Sequence, residues 1–197
     1  KSVSHSATKL MEQIAEGTHI CGDPGLQYHT TINRWHTCPN SGPINASNPC
    51  SEYMFLDNSA CNLASLNLMK FRQEDGSFDI EGFRKAVRIF IIAHEILVDN
   101  GSYPDQRIAV NSHLYRPLGL GYANLGSFVM SQALSYDSDQ ARALAGAISA
   151  IMTGTAYTAS AEIAALKGPF DGFEENKEPM LRVMSMHRQH ACDLPDT

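Results

Sequence analysis

The chain has 197 residues, 43% of them hydrophobic, which is enough to bury the core of one large domain or two small ones. A formal net charge of −6 with no run of like charges leaves no footprint for DNA or RNA, so any nucleotide it handles is a small molecule. The apolar stretch Ile89-Phe90-Ile91-Ile92-Ala93 is too short to cross a bilayer, and five cysteines without C-x-x-C or H-x-x-x-H spacing point to reduced thiols in the cytoplasm, with no protein-held metal.

The chain opens on Lys1 and closes on Asp193-Leu194-Pro195-Asp196-Thr197, and it is expected to be a piece of a longer polypeptide. Ser4 or Ser6 can cap a first helix over residues 7–16, with Leu10, Met11 and Ile14 on one side and Gly17 as its stop. Cys21-Gly22-Asp23-Pro24-Gly25 then forces a turn. Residues 33–48 are rich in Pro, Gly, Ser and Asn, and a polar connection of that length is functional or disordered. It is expected to be mobile without its scaffold. Within it, His36 and Cys38 read as structural residues rather than as a peptidase pair.

Asn48-Pro49-Cys50-Ser51-Glu52 precedes the apolar Tyr53-Met54-Phe55-Leu56. Pro49 and the aromatic run favour an extended backbone, which would turn Asn48, Cys50 and Glu52 to one face. A nucleophilic cysteine sits near cations or a helix N-terminus, whereas a carboxylate neighbour favours the S–H form. A neutral thiol suits hydrogen-atom transfer, with Glu52 as general base and Asn48 as a hydrogen-bonding partner for a substrate hydroxyl. The competing reading is a buried cysteine beside a solvated glutamate.

The alternation in Cys61-Asn62-Leu63-Ala64-Ser65-Leu66-Asn67-Leu68 predicts a strand, with Leu63 and Ala64 packed in a tight place. Cys61 lies eleven residues beyond Cys50, across one reversal, so the two thiols can share a cavity. Asp75-Gly76 makes a turn, and Asp79 caps a helix to about Val98 with Phe83, Val87, Phe90, Ile91, Ile96 and Leu97 buried. His94 falls on that stripe and is expected to be a hydrogen-bonded core residue. Gly119, Gly121 and Gly126 lack the dinucleotide spacing, and Pro117 suggests a helix start with glycines where another backbone packs closely. Asp137 and Gln140 suggest a capping box for an Ala-rich helix over residues 138–167, roughly 45 Å long at 1.5 Å per residue and closed by Gly168-Pro169. A last helix over residues 178–191 carries Met180, Leu181, Val183, Met184 and His187, its methionines in the core.

Gly22-Asp23-Pro24-Gly25, Asn48-Pro49-Cys50-Ser51-Glu52, Ser59-Ala60 with the Cys61–Leu68 run, and Arg116-Pro117-Leu118-Gly119-Leu120-Gly121 together resemble, in this order, the catalytic subunit of ribonucleotide reductase. The first three look most like its adenosylcobalamin-dependent class. The resemblance implies an α/β fold: residues 1–197 would be a fragment of the ten-stranded catalytic barrel, mostly α-helical with a few short strands. A finger loop would span about 45–60 and a helical portion about 79–192.

It further implies that Cys50 forms a thiyl radical that removes the ribose 3′-hydrogen, that Glu52 takes the 3′-hydroxyl proton, and that Asn48 holds the ribose hydroxyls. Cys61 would be one of two reducing thiols, its disulfide partner outside this chain, since Cys21 and Cys38 do not match that position. The implied partners are a ribonucleoside di- or triphosphate, thioredoxin or a similar dithiol, adenosylcobalamin held by the parent rather than by the fragment alone, and the remainder of the parent, for which a homodimer is one arrangement. The family's substrate-phosphate loop is absent here, so the isolated fragment is expected to be inactive. The alternatives are a reductase fed by a separate di-metal subunit, a thiol hydrolase, or a non-catalytic helical module.

Overall fold

The computed structural model describes residues 3–195. The alternating run forms strand β1, Asn62–Asn67, as its pattern predicts. The glycine-rich segment is a second strand, β2, Leu118–Ala123, rather than a helix start. The two pair in parallel, Asn62 opposite Leu118 through Asn67 opposite Ala123. Parallel strands need a long crossover, supplied here by α3, Ile80–Asn100, and α4, Gln106–Tyr115. The expectation of a close backbone approach at the glycines is met: a Cβ on Gly119 would collide with the Cys61 sulfur and with Leu63.

One face of the strand pair is covered. Leu66 and Leu68 join Phe83, Val87 and Ile91 of α3, Phe128 of α5 (Leu125–Ser131), and Ile148 and Ala159 of α6 (Asp139–Lys167). Phe71, Phe78, Phe83 and Phe128 meet at centroid spacings of 5.1 to 6.0 Å, mostly edge to face. The opposite face is open: Leu63, expected to be packed, is 65% exposed, and Gly119 and Gly121 stand beside it. Among the described residues only these two strands form, so the expected ten-stranded barrel is not closed here and the chain is mostly helical with a small parallel sheet.

The helices correct several boundaries. Helix α1 runs Ala7–Cys21, capped by Ser6 and ended by Gly22 at φ +77°; Gly17 stays helical, with Pro24 folded back close to it. No residue of α1 is buried among the described residues, and Leu10, Met11 and Ile20 stand exposed. The short α2, His29–Arg34, opens the polar connection, which is packed rather than loose. Asn33 accepts the Ile44 N–H at 2.9 Å and donates to the Ile44 carbonyl at 3.1 Å, while His36 and Cys38 are buried.

In α3 the buried set is Phe83, Val87, Ile91, His94 and Val98, whereas Ile96 and Leu97 are exposed on a flank that the strands and α6 do not reach. The α6 cap is Ser138, whose hydroxyl accepts the Ala141 N–H; Asp137 pairs instead with Arg142, so the expected capping box is not formed.

Helix α7, Phe173–Cys192, begins before the expected start at residue 178 and contains Pro179 in its interior. An interior proline leaves the carbonyl four residues back without its helical donor. That carbonyl, Glu175, accepts Asn40 Nδ2 at 2.7 Å, and the Asn40 N–H donates to the buried Asn176 Oδ1 at 3.0 Å. The polar connection thereby repairs the helix.

His94 is buried as expected, but neither ring nitrogen has a hydrogen-bond partner among the described residues. Burial lowers its proton affinity. The unfolded chain therefore binds the proton preferentially, and stability falls as pH drops through the ordinary imidazole value of about 6.5. The urea midpoint is expected to fall between pH 7 and pH 5, and to fall less in His94→Leu; an equal fall in both chains counts against this role. Asn40→Ala is expected to cost about 0.5–1.5 kcal/mol beside Pro179 and less in Pro179→Ala, whose restored N–H takes the same carbonyl. Equal losses in the two backgrounds would exclude the repair.

Candidate active site

Asn48-Pro49-Cys50-Ser51 is a tight turn, not an extended strand. The Asn48 carbonyl accepts the Ser51 N–H at 3.1 Å, and Ser51 takes φ +65°. The residues themselves favour this, since Asn suits the first and Pro the second position of a β-turn. Cys50 therefore stands exposed near the tip, and the expected shared face of Asn48, Cys50 and Glu52 is not formed. The Asn48 Oδ1 accepts the Tyr53 N–H at 3.0 Å, while its Nδ2 makes no hydrogen bond among the described residues. The Ser51 hydroxyl accepts from Gln27 Nε2 at 2.7 Å, tying the tip to the loop after α1.

Beyond the turn the chain re-enters the molecule. Glu52 and Tyr53 line a cleft of about 420 Å³, together with Trp35, Tyr115, Tyr157 and His187, a volume within the ordinary range of small-molecule sites. Neither Cys50 nor Cys61 lines it, so the two thiols do not share this cavity. The half-buried Cys61 lies at the foot of β1, its sulfur seated against Gly119. Burial, and after it the Glu52 carboxylate, pushes the Cys61 thiol up to about 11. The turn carries Cys50 outward, and Glu52 reaches back to act on Cys61.

Three contacts that the sequence reading missed hold this arrangement. The buried Ser112 of α4 accepts the Ala60 N–H at 3.2 Å, and Asn111 Nδ2 donates to the Asp57 carbonyl at 3.0 Å. Tyr53 and Ser59 join their hydroxyls at 2.7 Å. The signal for α4 is present in Asp105, directly after Pro104, whose carboxylate accepts the Arg107 N–H at 2.8 Å as a cap should.

His36 and Cys38 are structural, as expected: His36 Nε2 meets the Gly42 carbonyl at 2.9 Å, its Nδ1 accepts the Cys38 N–H at 3.3 Å, and burial raises the Cys38 thiol. Trp35 packs against His187 and His190 at centroid distances of 5.0 and 5.4 Å, and burial lowers the proton affinity of His187. Among the described residues no group of three or more His, Cys, Asp or Glu is placed to hold a metal ion, and no helix is long and apolar enough to cross a membrane.

Residues 1–193 match the family described as ribonucleotide reductase, barrel domain. The vitamin B12-dependent ribonucleotide reductase of Rhodopirellula baltica is 64% identical over 190 residues, which cover 96% of this chain and 18% of that protein. That of Streptomyces coelicolor is 55% identical over 185 residues, 92% of this chain and 19% of its own. The vitamin B12-dependent ribonucleoside-diphosphate reductase of Mycobacterium tuberculosis is 31% identical over 171 residues, 87% of this chain and 25% of its own. The chain spans about a fifth of the length of these relatives. The cysteine turn, the Cys61 strand and the glycine strand beneath it all lie inside the matched span, and the chain belongs to the ribonucleotide reductase barrel-domain family.

Proposed function

We propose that the protein of which this chain is a part reduces ribonucleotides to 2′-deoxyribonucleotides for DNA synthesis by thiyl-radical chemistry. The observation that carries the reading is the family match joined to the geometry: an exposed Cys50 at a turn tip, and two residues on a carboxylate that adds to burial in raising the Cys61 thiol. In this reading residues 45–60 are the finger loop of the catalytic barrel domain and residues 79–192 its helical portion.

The Cys50 S–H loses its hydrogen atom and the resulting thiyl radical takes the ribose 3′-hydrogen. Glu52 accepts the 3′-hydroxyl proton. Asn48 donates from Nδ2 to a ribose hydroxyl, its Oδ1 being committed to the Tyr53 N–H. Cys61 gives one of the two reducing equivalents: two thiols become one disulfide as the 2′-hydroxyl leaves as water, and a thioredoxin-type dithiol restores the pair. A thiol that stays protonated at neutral pH suits hydrogen donation, which is the use proposed for Cys61.

The names of the relatives favour adenosylcobalamin as the radical source over a di-metal subunit. Its chemistry, when bound, is abstraction of the Cys50 hydrogen atom. The exposed Cys50 fits that approach; no residue of this chain is assigned to holding the corrin, and the remainder of the parent is proposed to do so. A thiol hydrolase finds no support, because the ring of His36 is spent on backbone groups. The parent is read as a cytoplasmic enzyme acting on ribonucleoside di- or triphosphates.

In the full-length parent, nucleotide reduction with a dithiol is expected to require adenosylcobalamin and to vanish in Cys50→Ser. Without external dithiol, Cys61→Ser is expected to complete at most about one turnover. Cobalamin-independent activity would move the radical source to a metal subunit, and full activity in Cys50→Ser would end the radical assignment. Alkylation of the Cys61 peptide is expected to rise about tenfold per pH unit between pH 7 and 10. Removing a negative neighbour lowers a thiol's pKa, so Glu52→Gln is expected to speed the reaction at pH 8; a wild-type plateau near pH 9 would refute the raised thiol, and an unchanged rate in Glu52→Gln would refute the carboxylate effect.

A further inference from the structure

We propose that Tyr53 is a positioning residue, a clasp that holds the Cys50 turn and the Glu52 carboxylate in fixed relation to Cys61. The inference rests on the reductase reading above and adds to it a residue outside the reacting groups. Tyr53 is bonded at both ends of the loop. Its backbone N–H donates to Asn48 Oδ1 at 3.0 Å, where the turn begins. Its hydroxyl meets Ser59 Oγ at 2.7 Å, two residues before Cys61.

The direction of the second bond follows from proton count. Ser59 has one hydroxyl proton, and it goes to the Leu56 carbonyl at 2.6 Å. The phenol is therefore the donor. Burial pushes Tyr53 up to about 12, so it keeps that proton at every physiological pH.

The far end of the clasp is anchored. Ala60, between Ser59 and Cys61, donates its N–H to the buried Ser112 of α4. The half-buried Tyr53 ring lies 6.3 Å from Phe55, which packs in turn on Tyr115 and His36 at 5.8 Å each. Glu52 is the residue directly before Tyr53, so the clasp fixes the backbone from which the carboxylate adds to the effect of burial on Cys61. A misplacement of about 1 Å at a reacting group can cost a hundredfold in rate. The clasp is thus expected to act on turnover rather than on substrate affinity.

The test uses the full-length parent with adenosylcobalamin and a dithiol, comparing Tyr53→Phe, Ser59→Ala, the double variant and Ser59→Thr. Tyr53→Phe keeps the ring and its packing, removing only the donor. Each of the first two is expected to lower kcat about tenfold with KM within about twofold, the double variant no further, and Ser59→Thr to retain activity. Alkylation of the Cys61 peptide at pH 8, followed by mass spectrometry without nucleotide, is expected to speed about three- to tenfold in Tyr53→Phe. Unchanged kcat and alkylation in Tyr53→Phe, or losses that multiply in the double variant, would overturn the clasp. If the wild-type parent reduces no nucleotide, the reductase reading falls, and the alkylation arm alone upholds or overturns the clasp.

Discussion

The parallel pairing of β1 with β2 is the constraint on which the rest depends. It sets Gly119 opposite Leu63, and only a residue without a Cβ leaves room there for the Cys61 sulfur. The same register turns Leu118, Leu120 and Tyr122 toward the core face with Leu66, where α3 and α6 cover them. The crossover that parallel pairing demands also delivers α4 to the foot of β1, where Ser112 holds the backbone just before Cys61. Fold and thiol placement have a single cause.

The electrostatics of the loop follow from its path. A turn sends one thiol outward, and the return of the chain brings the following carboxylate beside the other. Burial alone would raise the Cys61 thiol; the nearby negative charge adds to it. Neither effect needs a cation or a helix N-terminus, and neither makes a nucleophile. What results is a weakly acidic thiol at the foot of a strand and an accessible one at a loop tip.

Much of this was legible in the sequence where one local signal acted alone. Ser6, Asp79 and Gly168 mark helix ends by side-chain capping or by backbone freedom, and β1 shows its alternation plainly. The failures fall where two signals compete. Asn48-Pro49 carries both an extended and a turn preference, and the turn prevails through the Ser51 N–H bond. Pro117 suggests a helix start yet precedes a strand, and Pro179 is tolerated inside α7 because Asn40, distant in sequence, supplies the missing donor. The link between Tyr53 and Ser59 joins side chains through tertiary folding, and no periodicity encodes it.

A two-stranded sheet has two edges, and in this chain both lack a neighbour among the described residues. Each edge presents a row of unmatched N–H and C=O groups, and on β1 Leu63 is uncovered. Any extended segment of suitable register can add there, and the readiness that lets a barrel grow on either side is indifferent to the source of the next strand. Separated from its parent, the piece would offer those edges to other copies of itself, so its solubility is a property of the surrounding polypeptide as much as of its own surface charge.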